Sequence, residues 1–564
     1  VEGRLGAWVD AWAAVHDAAC LEAQTEGELH AALLGRRYAC LDRQRSRLAG
    51  LVQLLAEADG EVLARIGEVA AGLPDPRSCS LDEAIRAAEG PAPPPAAIAP
   101  AVEALERRLA AAGVFFQATY GERALAELDA VVEESRALGY RPLVAEAAGA
   151  AAFAHFQLGR ADRSEALFLE ALTLAEAAGD LRRLAEIWPR WIIFLTRARS
   201  AFAEAAHAER RAEAILERVG GDDAIRYELL VARASLASTA ADHRAAARLA
   251  GEALEIGARL FGAEALKIAD LHNNLGSYLK VGGEIGAAAE HVQTALSIWE
   301  RELGPQHPKI AYALFNLAGI AISRENYPEA VRLYRSSLAR FERLDPDHPD
   351  VGAVLNNLAG ALDYVDDPEA ALALYRRSLD HLRRRHGEEH AQTASAYAIS
   401  ANAEARIGDL DVARRHVEAA IAIRRRLLGE DHPKTLNAEA ELVNVLVRQG
   451  EAAAARALAG SLQGRLTALE GVPEDLATTL ATLARAALAA GQPREALELS
   501  ERAARALPAA ATDRRPAVAF VLARSLIATG GDAPRARALV DAARAYWVRW
   551  PRYYDVELAD SERL

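Results

Sequence analysis

One motif recurs along most of this chain, and its regular spacing constrains the fold more than any other feature. A turn residue is followed by Ala five positions later, and by a small and an apolar residue twelve and thirteen positions later. The clearest copies are Gly283 with Ala288, Ala295 and Leu296; Glu325 with Ala330, Ser337 and Leu338; Asp366 with Ala371, Ser378 and Leu379; and Gly408 with Ala413, Ala420 and Ile421. Weaker copies turn near Thr119, Gly159, Ser200, Ala241, Gly450, Gly491 and Gly531, and all steps are 40 to 42 residues. Such a period indicates about eleven repeats that stack along the chain.

Each period contains two amphipathic helices joined by the turn. Before the turn, Leu355, Leu358 and Leu362 follow helical spacing, and after it Ala371 and Leu374 do so. The small Ala371 allows two helix backbones to approach closely. Because one hairpin cannot bury both of its apolar faces, each needs its neighbours. The sequence therefore predicts an all-α solenoid.

The repeats resemble the tetratricopeptide family, in the longer-period form of kinesin light chains. The residues that carry the resemblance are 271–276 (LHNNLG), 333–335 (LYR), 355–360 (LNNLAG), 369–370 (EA) and 374–379 (LYRRSL), with the linkers 303–308 (LGPQHP), 345–349 (DPDHP) and 428–433 (LGEDHP). The resemblance implies a right-handed superhelix whose first helices line a concave groove.

The first 90 residues lack the turn template and are predicted to form a small helical adaptor. Their segments 8–12 (WVDAW), 19–23 (ACLEA), 37–43 (RYACLDR), 55–59 (LAEAD) and 73–79 resemble the region before tetratricopeptide arrays in myxobacterial-type serine/threonine protein kinases. Prolines in 91–95 break helices. The predicted domains are therefore an adaptor (1–90), a Pro-rich linker (91–100), a solenoid (101–545) and a C-terminal cap (546–564) with the aromatic residues Tyr546, Trp547, Trp550, Tyr553 and Tyr554.

Composition and charge exclude several classes of protein. A hydrophobic fraction of 51% is too high for a disordered chain, and a net charge of −14 argues against a nucleic-acid partner. No apolar run is long enough to insert into a membrane. The start at Val1 does not resemble a signal peptide, which favours the cytoplasm, whereas a membrane helix before Val1 in a longer parent chain would place the repeats outside it. The oligomeric state is not indicated.

The three cysteines, Cys20, Cys40 and Cys79, precede the repeats and do not have zinc-site spacing. Buried free thiols are expected, with a bridge between Cys20 and Cys40 as the alternative.

No catalytic motif is found in this chain. The glycine-rich loop, strand lysine and catalytic loop of a kinase are missing, as are the P-loop and the nucleophile elbow. We therefore expect no enzyme and no cofactor. His386 and His390 have the spacing of a helical metal site, but His390 also stands in register with His307, His348 and His432, which favours a structural role in the repeat. No metal site is predicted.

Polar residues recur on the predicted first helices, and we call this set the polar column. Its members are Asp270, Asn273, Asn274, Ser277, Tyr312, Asn316, Asn356, Asn357, Ser395, Asn402, Asn437 and Asn444. Asparagine is unfavourable in the interior of a helix, so each asparagine placed there lowers the stability of its helix. A carboxamide can grip a polypeptide backbone through two donors and one acceptor. The alternative is that these amides bond neighbouring helices or water.

The sequence thus predicts a scaffold that binds protein or peptide partners in the groove of residues 266–445. The resemblance further implies the regulatory region of a bacterial serine/threonine kinase signalling system. The alternative function is a small-molecule sensor that changes curvature when its ligand binds.

Overall fold

The computed structural model describes residues 2–22, 28–56, 67, 69–70, 73–80, 91–119, 121–199, 201–365, 367–468, 476–507, 515–549 and 555–563. These residues are almost entirely helical, and none of them lies in a β-strand. The all-α prediction is therefore confirmed. The chain divides into two compact units, Val1–Ile320 (unit 1) and Ala321–Leu564 (unit 2).

Unit 1 begins with two long helices and continues as five helical hairpins. The helices are α1 (Glu2–Glu22) and α2 (Glu28–Ala56), and a 3₁₀ helix lies at Pro76–Ser78. The hairpins are α3 (Ala99–Thr119) with α4 (Glu122–Leu138), α5 (Arg141–Gln157) with α6 (Ala161–Ala177), α7 (Leu181–Phe194) with α8 (Phe202–Arg218), α9 (Asp223–Thr239) with α10 (His243–Phe261), and α11 (Leu266–Val281) with α12 (Ile285–Leu303). A π-helical turn, Leu195–Arg199, follows α7.

The boundary between the units lies within α13 (Lys309–Ser323), after Ile320, and α14 (Tyr327–Leu344) follows in unit 2. Five more hairpins follow in unit 2. They are α15 (Val351–Tyr364) with α16 (Pro368–His386), α17 (Ala391–Ile407) with α18 (Leu410–Leu428), α19 (Pro433–Arg448) with α20 (Ala452–Ala468), α21 (Ala477–Ala489) with α22 (Pro493–Ala506), and α23 (Arg515–Ala528) with α24 (Ala533–Trp547); α25 (Asp555–Glu562) comes last. Within the two units the described helices thus form ten hairpins, and the order of helices along the sequence follows the predicted repeats.

Seven turn residues of the repeat motif adopt the left-handed backbone conformation, whereas at the last turn Gly530 rather than Gly531 does so. Gly159, Gly283 and Gly408 have φ of 74°, 88° and 96°, and even the non-glycine residues Ala241 and Glu325 have φ of 63° and 57°. A helix commonly ends on such a residue, which reverses the chain. At those seven positions the motif therefore identified the residue at which the chain reverses after the first helix. Two further turn residues, Ser200 and Asp366, lie outside the described residues.

The residue after the turn often caps the second helix. The side chains of Asp242, Asn326 and Asp367 accept hydrogen bonds from backbone N–H groups three positions later, at 3.0, 3.4 and 3.1 Å. Such caps satisfy donors that a helix start leaves free, and each is worth about 1 kcal/mol. Local chemistry therefore fixes where the second helix of each hairpin begins.

The apolar core of each unit runs from hairpin to hairpin. In unit 1, one cluster extends from Leu109 on α3 to Leu236 on α9, and a second extends from Tyr227 to Ile320. In unit 2, a cluster extends from Leu436 on α19 to Val521 on α23. Each hairpin thus buries its apolar faces against its neighbours, as the repeat period predicts.

The cysteine prediction is wrong. Cys40 on α2 forms a disulfide with Cys79, with 5.7 Å between the Cα atoms, and Cys20 is an exposed free thiol. Neither buried free thiols nor a bridge between Cys20 and Cys40 occurs. The pairing depends on a chain reversal across 39 residues that cysteine spacing does not reveal.

The N-terminal residues dock on the first hairpins of unit 1. A Cβ atom added at Gly50 on α2 would lie 3.0 Å from the Cα of Ala111 on α3, so the two helices touch closely. The Tyr140 hydroxyl donates to the carbonyl of Ala92, at 2.9 Å, within the Pro-rich segment. The predicted domain limits at 90, 100 and 545 stay predictions.

The C-terminal hairpin is closed by an aromatic contact. Trp547 is only 1% exposed and packs edge-on against Phe520, with 5.0 Å between the ring centroids. The predicted cap residues Trp550, Tyr553 and Tyr554 lie outside the described residues. Within the described part of the chain, no helix has the length and apolar character that a membrane crossing requires.

Candidate partner-binding column

The first four members of the polar column lie on α11 in unit 1. Asp270, Asn273, Asn274 and Ser277 are spaced by three, four and seven positions, which places them on neighbouring rows of one helix face. All four are half-buried. Lys280 continues the same face, and burial lowers the pKa of its ammonium group. This face of α11 is therefore polar but only partly accessible to solvent.

Contacts between first helices occupy some of these side chains. The Lys309 ammonium group on α13 donates to both carboxylate oxygens of Asp270, at 2.8 and 2.9 Å. The Asn316 amide donates to the Asn273 carbonyl oxygen at 2.9 Å. Tyr312, also on α13, is 37% exposed. Asn273 and Asn316 are therefore bonded to each other across neighbouring first helices.

In unit 2, Asn356 and Asn357 lie side by side on α15 with different surroundings. Asn357 is exposed, whereas the side-chain oxygen of Asn356 is buried and has no hydrogen-bond partner within the described part of the protein. An unpartnered buried carbonyl oxygen is unfavourable unless a bound group donates to it. Asn356 is thus a residue whose hydrogen bonding a partner could complete.

Four members of the polar column lie on α17 and α19. On α17, Asn402 is exposed and the Ser395 hydroxyl donates to the carbonyl of Ala391 on its own helix at 3.0 Å. On α19, the Asn437 carbonyl oxygen accepts a bond from the Thr479 hydroxyl on α21, and Asn444 is half-buried. Asn437 is therefore used between first helices, as Asn273 is in unit 1.

Glu441 lies between Asn437 and Asn444 on the same face of α19, and the sequence reasoning overlooked it. Burial raises the pKa of its carboxyl group, although the charge of Arg485 opposes the rise. The polar column in unit 2 thus includes an acidic group as well as amides.

Buried ion pairs fix the orientation of the first helices in unit 2. The carboxylate of Glu439 on α19 is 0% exposed and accepts hydrogen bonds from Arg425 on α18 and Arg465 on α20. The Glu404 carboxylate on α17, also 0% exposed, is paired with Arg376 at 3.2 Å and lies 2.8 Å from Nδ1 of His416. A buried carboxylate that lost its arginine partners would be left uncompensated, which is strongly destabilising. The polar faces of these helices are therefore held firmly in place.

The four histidines in register have a shared structural role. In each linker the histidine Nδ1 accepts a hydrogen bond from the backbone N–H two residues later, at 3.1 to 3.3 Å. These residues are His307, His348, His390 and His432. Each bond satisfies a free donor near the start of a first helix. Among the residues that the structure describes, no group of three or more metal-binding side chains converges.

Lys309 and Thr479 are the bonding partners that sequence reasoning missed. Thr479 stands 42 residues after Asn437, which itself stands 42 residues after Ser395. Extending the register by one more period would have found Thr479. Lys309 stands 39 residues after Asp270, out of register, so periodicity gave no signal for it.

The comparisons with known proteins agree with these helical pairs. A family model described as tetratricopeptide repeat matches residues 267–343, 316–384 and 392–461. Nephrocystin-3 from Mus musculus is 36% identical over 72 residues, which are 13% of this chain and 5% of that protein. The chain therefore aligns with only a small part of the curated relatives that it matches.

Two solved structures illustrate the structural likeness. BtubC (BKLC) from P. vanneervenii is 22% identical and has a TM-score of 0.36, over 40% of this chain and 91% of that one. The apo form of RapI is 13% identical with a TM-score of 0.48, over 64% of this chain and 97% of that one. Neither likeness says anything about function. The first helices that carry the polar column begin every 40 to 43 residues. The segments 267–384 and 392–461, which contain these helices almost completely, match the tetratricopeptide repeat.

Proposed function

We propose that the chain is a protein-interaction scaffold, and that within each unit the members of the polar column bind the backbone of a polypeptide. One observation carries the proposal. Asn274, Asn357 and Asn402 are at least partly exposed and make no side-chain hydrogen bond within the described residues, whereas Asn273 and Asn316 bond each other. Asparagine is a poor helix former, and these three amides make no internal contact among the described residues that would explain their presence. Binding of an external partner explains them best.

The chemistry of the amides favours a peptide backbone over a particular side chain. Each carboxamide offers two donors and one acceptor, which match the C=O and N–H groups that an extended chain presents. Glu441, with its raised pKa, adds an acidic group that would favour a partner with a nearby cation. We therefore expect a backbone-directed partner with basic residues near the groups that approach α19.

The test starts from peptides selected on the full chain by phage display. The enriched peptides are synthesised with a fluorophore, and binding is measured by fluorescence anisotropy. The triple variant Asn274→Ala, Asn357→Ala and Asn402→Ala should bind about tenfold to a thousandfold more weakly, because each lost hydrogen bond contributes about 0.5–1.5 kcal/mol. Circular dichroism should show unchanged helix content.

Two controls separate binding from folding. Gln293→Ala removes an exposed carboxamide from the second helix α12 and should leave peptide affinity unchanged. The pair Asn273→Ala and Asn316→Ala removes an internal bond of 2.9 Å and should lower stability more than the triple change does. Peptides that bind the triple variant as tightly as the unaltered chain would contradict the proposal.

The kinase setting is a separate part of the proposal and rests on the resemblance of residues 1–90. A serine/threonine kinase domain encoded immediately upstream of Val1 would support a regulatory role for these repeats. An upstream region without such a domain would leave the scaffold role intact and remove the kinase role.

A further inference from the structure

The first two helices and a later segment form one cross-linked body, which we call the clasp. It consists of α1, α2 and residues 73–79. The bonds that join its parts are the disulfide between Cys40 and Cys79, a hydrogen bond from Trp8 to the Pro74 carbonyl at 2.7 Å, and one from Trp12 to the Leu41 carbonyl at 3.0 Å. Because each part is tied to the other two, the clasp moves as a unit.

The clasp is anchored on the first hairpin by apolar packing. Leu51 on α2 and Val114 on α3 are buried in one cluster, and Leu5 on α1 packs against it. Apolar side chains that are removed from water in this way are costly to separate. The contact with α3 is therefore the firm end of the clasp.

The other end of the clasp touches the fifth hairpin. Arg4 on α1 pairs with the Glu302 carboxylate near the end of α12. A Cβ atom added at Gly67 would lie 3.7 Å from both the backbone oxygen of Glu302 and Cδ2 of Leu303. The Arg4 side chain is 42% exposed, and an ion pair of that exposure shifts an equilibrium by about fivefold at most. This contact, which we call the latch, is therefore much weaker than the anchor.

The clasp joins parts of unit 1 that the stacking of hairpins by itself keeps apart. Each hairpin of a solenoid contacts only its neighbours, so three hairpins separate the first from the fifth. The clasp nevertheless touches α3 of the first hairpin and α12 of the fifth. It therefore spans unit 1 as a strap that is fixed firmly at one end and weakly at the other.

Between its two ends, the clasp lies beside the first helices of three successive hairpins. Arg43 on α2 lies 3.8 Å from Glu106 on α3. Arg47 lines a cavity together with Glu146 on α5 and Glu186 on α7, and both carboxylates interact electrostatically with its guanidinium group. Solenoids bind their partners along the concave surface, where the tetratricopeptide resemblance places the first helices. A polypeptide that continued from α11 towards the earlier hairpins would therefore meet α2.

We propose that the clasp is an autoinhibitory lid, hinged on α3 and latched at Glu302, which competes with a polypeptide for the first helices of unit 1. The inference rests on the proposed function, in which Asn274 on α11 binds a peptide backbone. Because the anchor is firm and the latch is weak, the lid opens at the latch, and α2 swings away from α5 and α7. Release of the latch thus lengthens the inner surface that is open to a partner.

Pulsed electron paramagnetic resonance measures this opening directly and without a peptide. Nitroxide labels are attached at Ala7→Cys on α1 and Ser297→Cys on α12, both exposed positions, in a full chain whose free thiol is removed by Cys20→Ser. The unaltered latch should give mainly one short distance between the labels. Arg4→Glu brings two carboxylates together and should add a population with longer distances. The charge swap, Arg4→Glu with Glu302→Arg, should restore the short distance.

Peptide affinity tests the competition, with a matched control on the clasp. Selected peptides whose binding depends on Asn274 should bind Arg4→Glu about two- to fivefold more tightly than the unaltered chain, and the charge swap should reverse the gain. Arg45→Glu makes the same change of charge on α2, where Arg45 is 61% exposed and pairs with Asp42 of its own helix. This control should leave both the distances and the affinity unchanged.

The possible failures are distinguishable. An unchanged distance distribution in Arg4→Glu, or a charge swap that leaves the distribution widened, overturns the lid. Peptides that depend on Asn274 but bind Arg4→Glu no more tightly overturn the autoinhibition, while the proposed function stands. If no selected peptide depends on Asn274, the proposed function fails in unit 1 and the competition fails with it, although the distances would still show the lid.

Discussion

Gly276 on α11 lies where the first and second helices of the fifth hairpin touch, and replacing it by alanine tests the close-packing argument. A Cβ atom there would lie 2.4 Å from Cγ2 of Val292 and 2.9 Å from the backbone oxygen of Ala288, both on α12. Neither neighbour can move cheaply. Val292 is fully buried and β-branched, so its rotamer is restricted within the helix, and the Ala288 oxygen belongs to the helix backbone.

The net effect is a balance of two opposing contributions. Overpacking of this kind costs about 1–3 kcal/mol, and contact with a backbone atom places this site at the upper end. In the interior of a helix, alanine is also more favourable than glycine by about 1 kcal/mol. We therefore expect Gly276→Ala to destabilise the fifth hairpin by about 2 kcal/mol. Gly251 on α10 is the matched control, since a Cβ atom there meets nothing within 4 Å. Gly251→Ala should stabilise its helix by about 1 kcal/mol.

Hydrogen–deuterium exchange with mass spectrometry is the suitable assay, because a chain with two compact units need not unfold in one step. Peptides from α11 and α12 should exchange about thirtyfold faster in Gly276→Ala, and those from α10 about fivefold slower in Gly251→Ala. If Gly276→Ala slows exchange as Gly251→Ala does, the two helices are not in contact at this point and the reasoning is refuted.

Two further predictions concern the thiols and the histidines of unit 1. A thiol assay on the denatured chain should detect only Cys20 before reduction, and Cys79→Ser should lower the stability of unit 1 by about 4 kcal/mol, because the bond to Cys40 closes a loop of 39 residues. Detection of all three thiols without reductant would refute this. Burial and the neighbouring His291 lower the pKa of His272 to about 4, so its contribution to stability is present above the unfolded pKa of about 6.5 and is lost as the pH falls towards 4. Thermal unfolding between pH 7.5 and 4 should show this loss, and His272→Gln should reduce it; an identical pH profile in the variant would contradict the assignment.

Local features of the fold were predictable because they depend on residues close together in sequence. The turn at Ala241 was identified although alanine rarely adopts φ of 63°, since the neighbouring repeats revealed the position. The histidine linkers were predicted to be structural for the same reason, and His432 indeed caps α19. Repetition thus compensates for weak local signals by presenting the same position many times.

The candidate site was predictable in outline but not in the role of each residue. Asn273 and Asn274 are neighbours in sequence, yet only Asn273 reaches Asn316 on the next first helix. Successive residues point about 100° apart around a helix, so which amide meets the next hairpin depends on how the hairpins pack. The periodic pattern places both residues on the first helix and cannot choose between them.

The repeating pattern of side chains is sufficient to predict helical hairpins along this chain, because the apolar faces of each hairpin can be buried only by neighbouring hairpins with the same pattern. The contacts between segments that are far apart in sequence are visible only in the folded protein. The bond between Cys40 and Cys79 and the cavity that brings Arg47 near Glu146 both require α2 to fold back beside later parts of unit 1. Contacts of that kind join residues outside the repeat period, so no spacing along the chain encodes them.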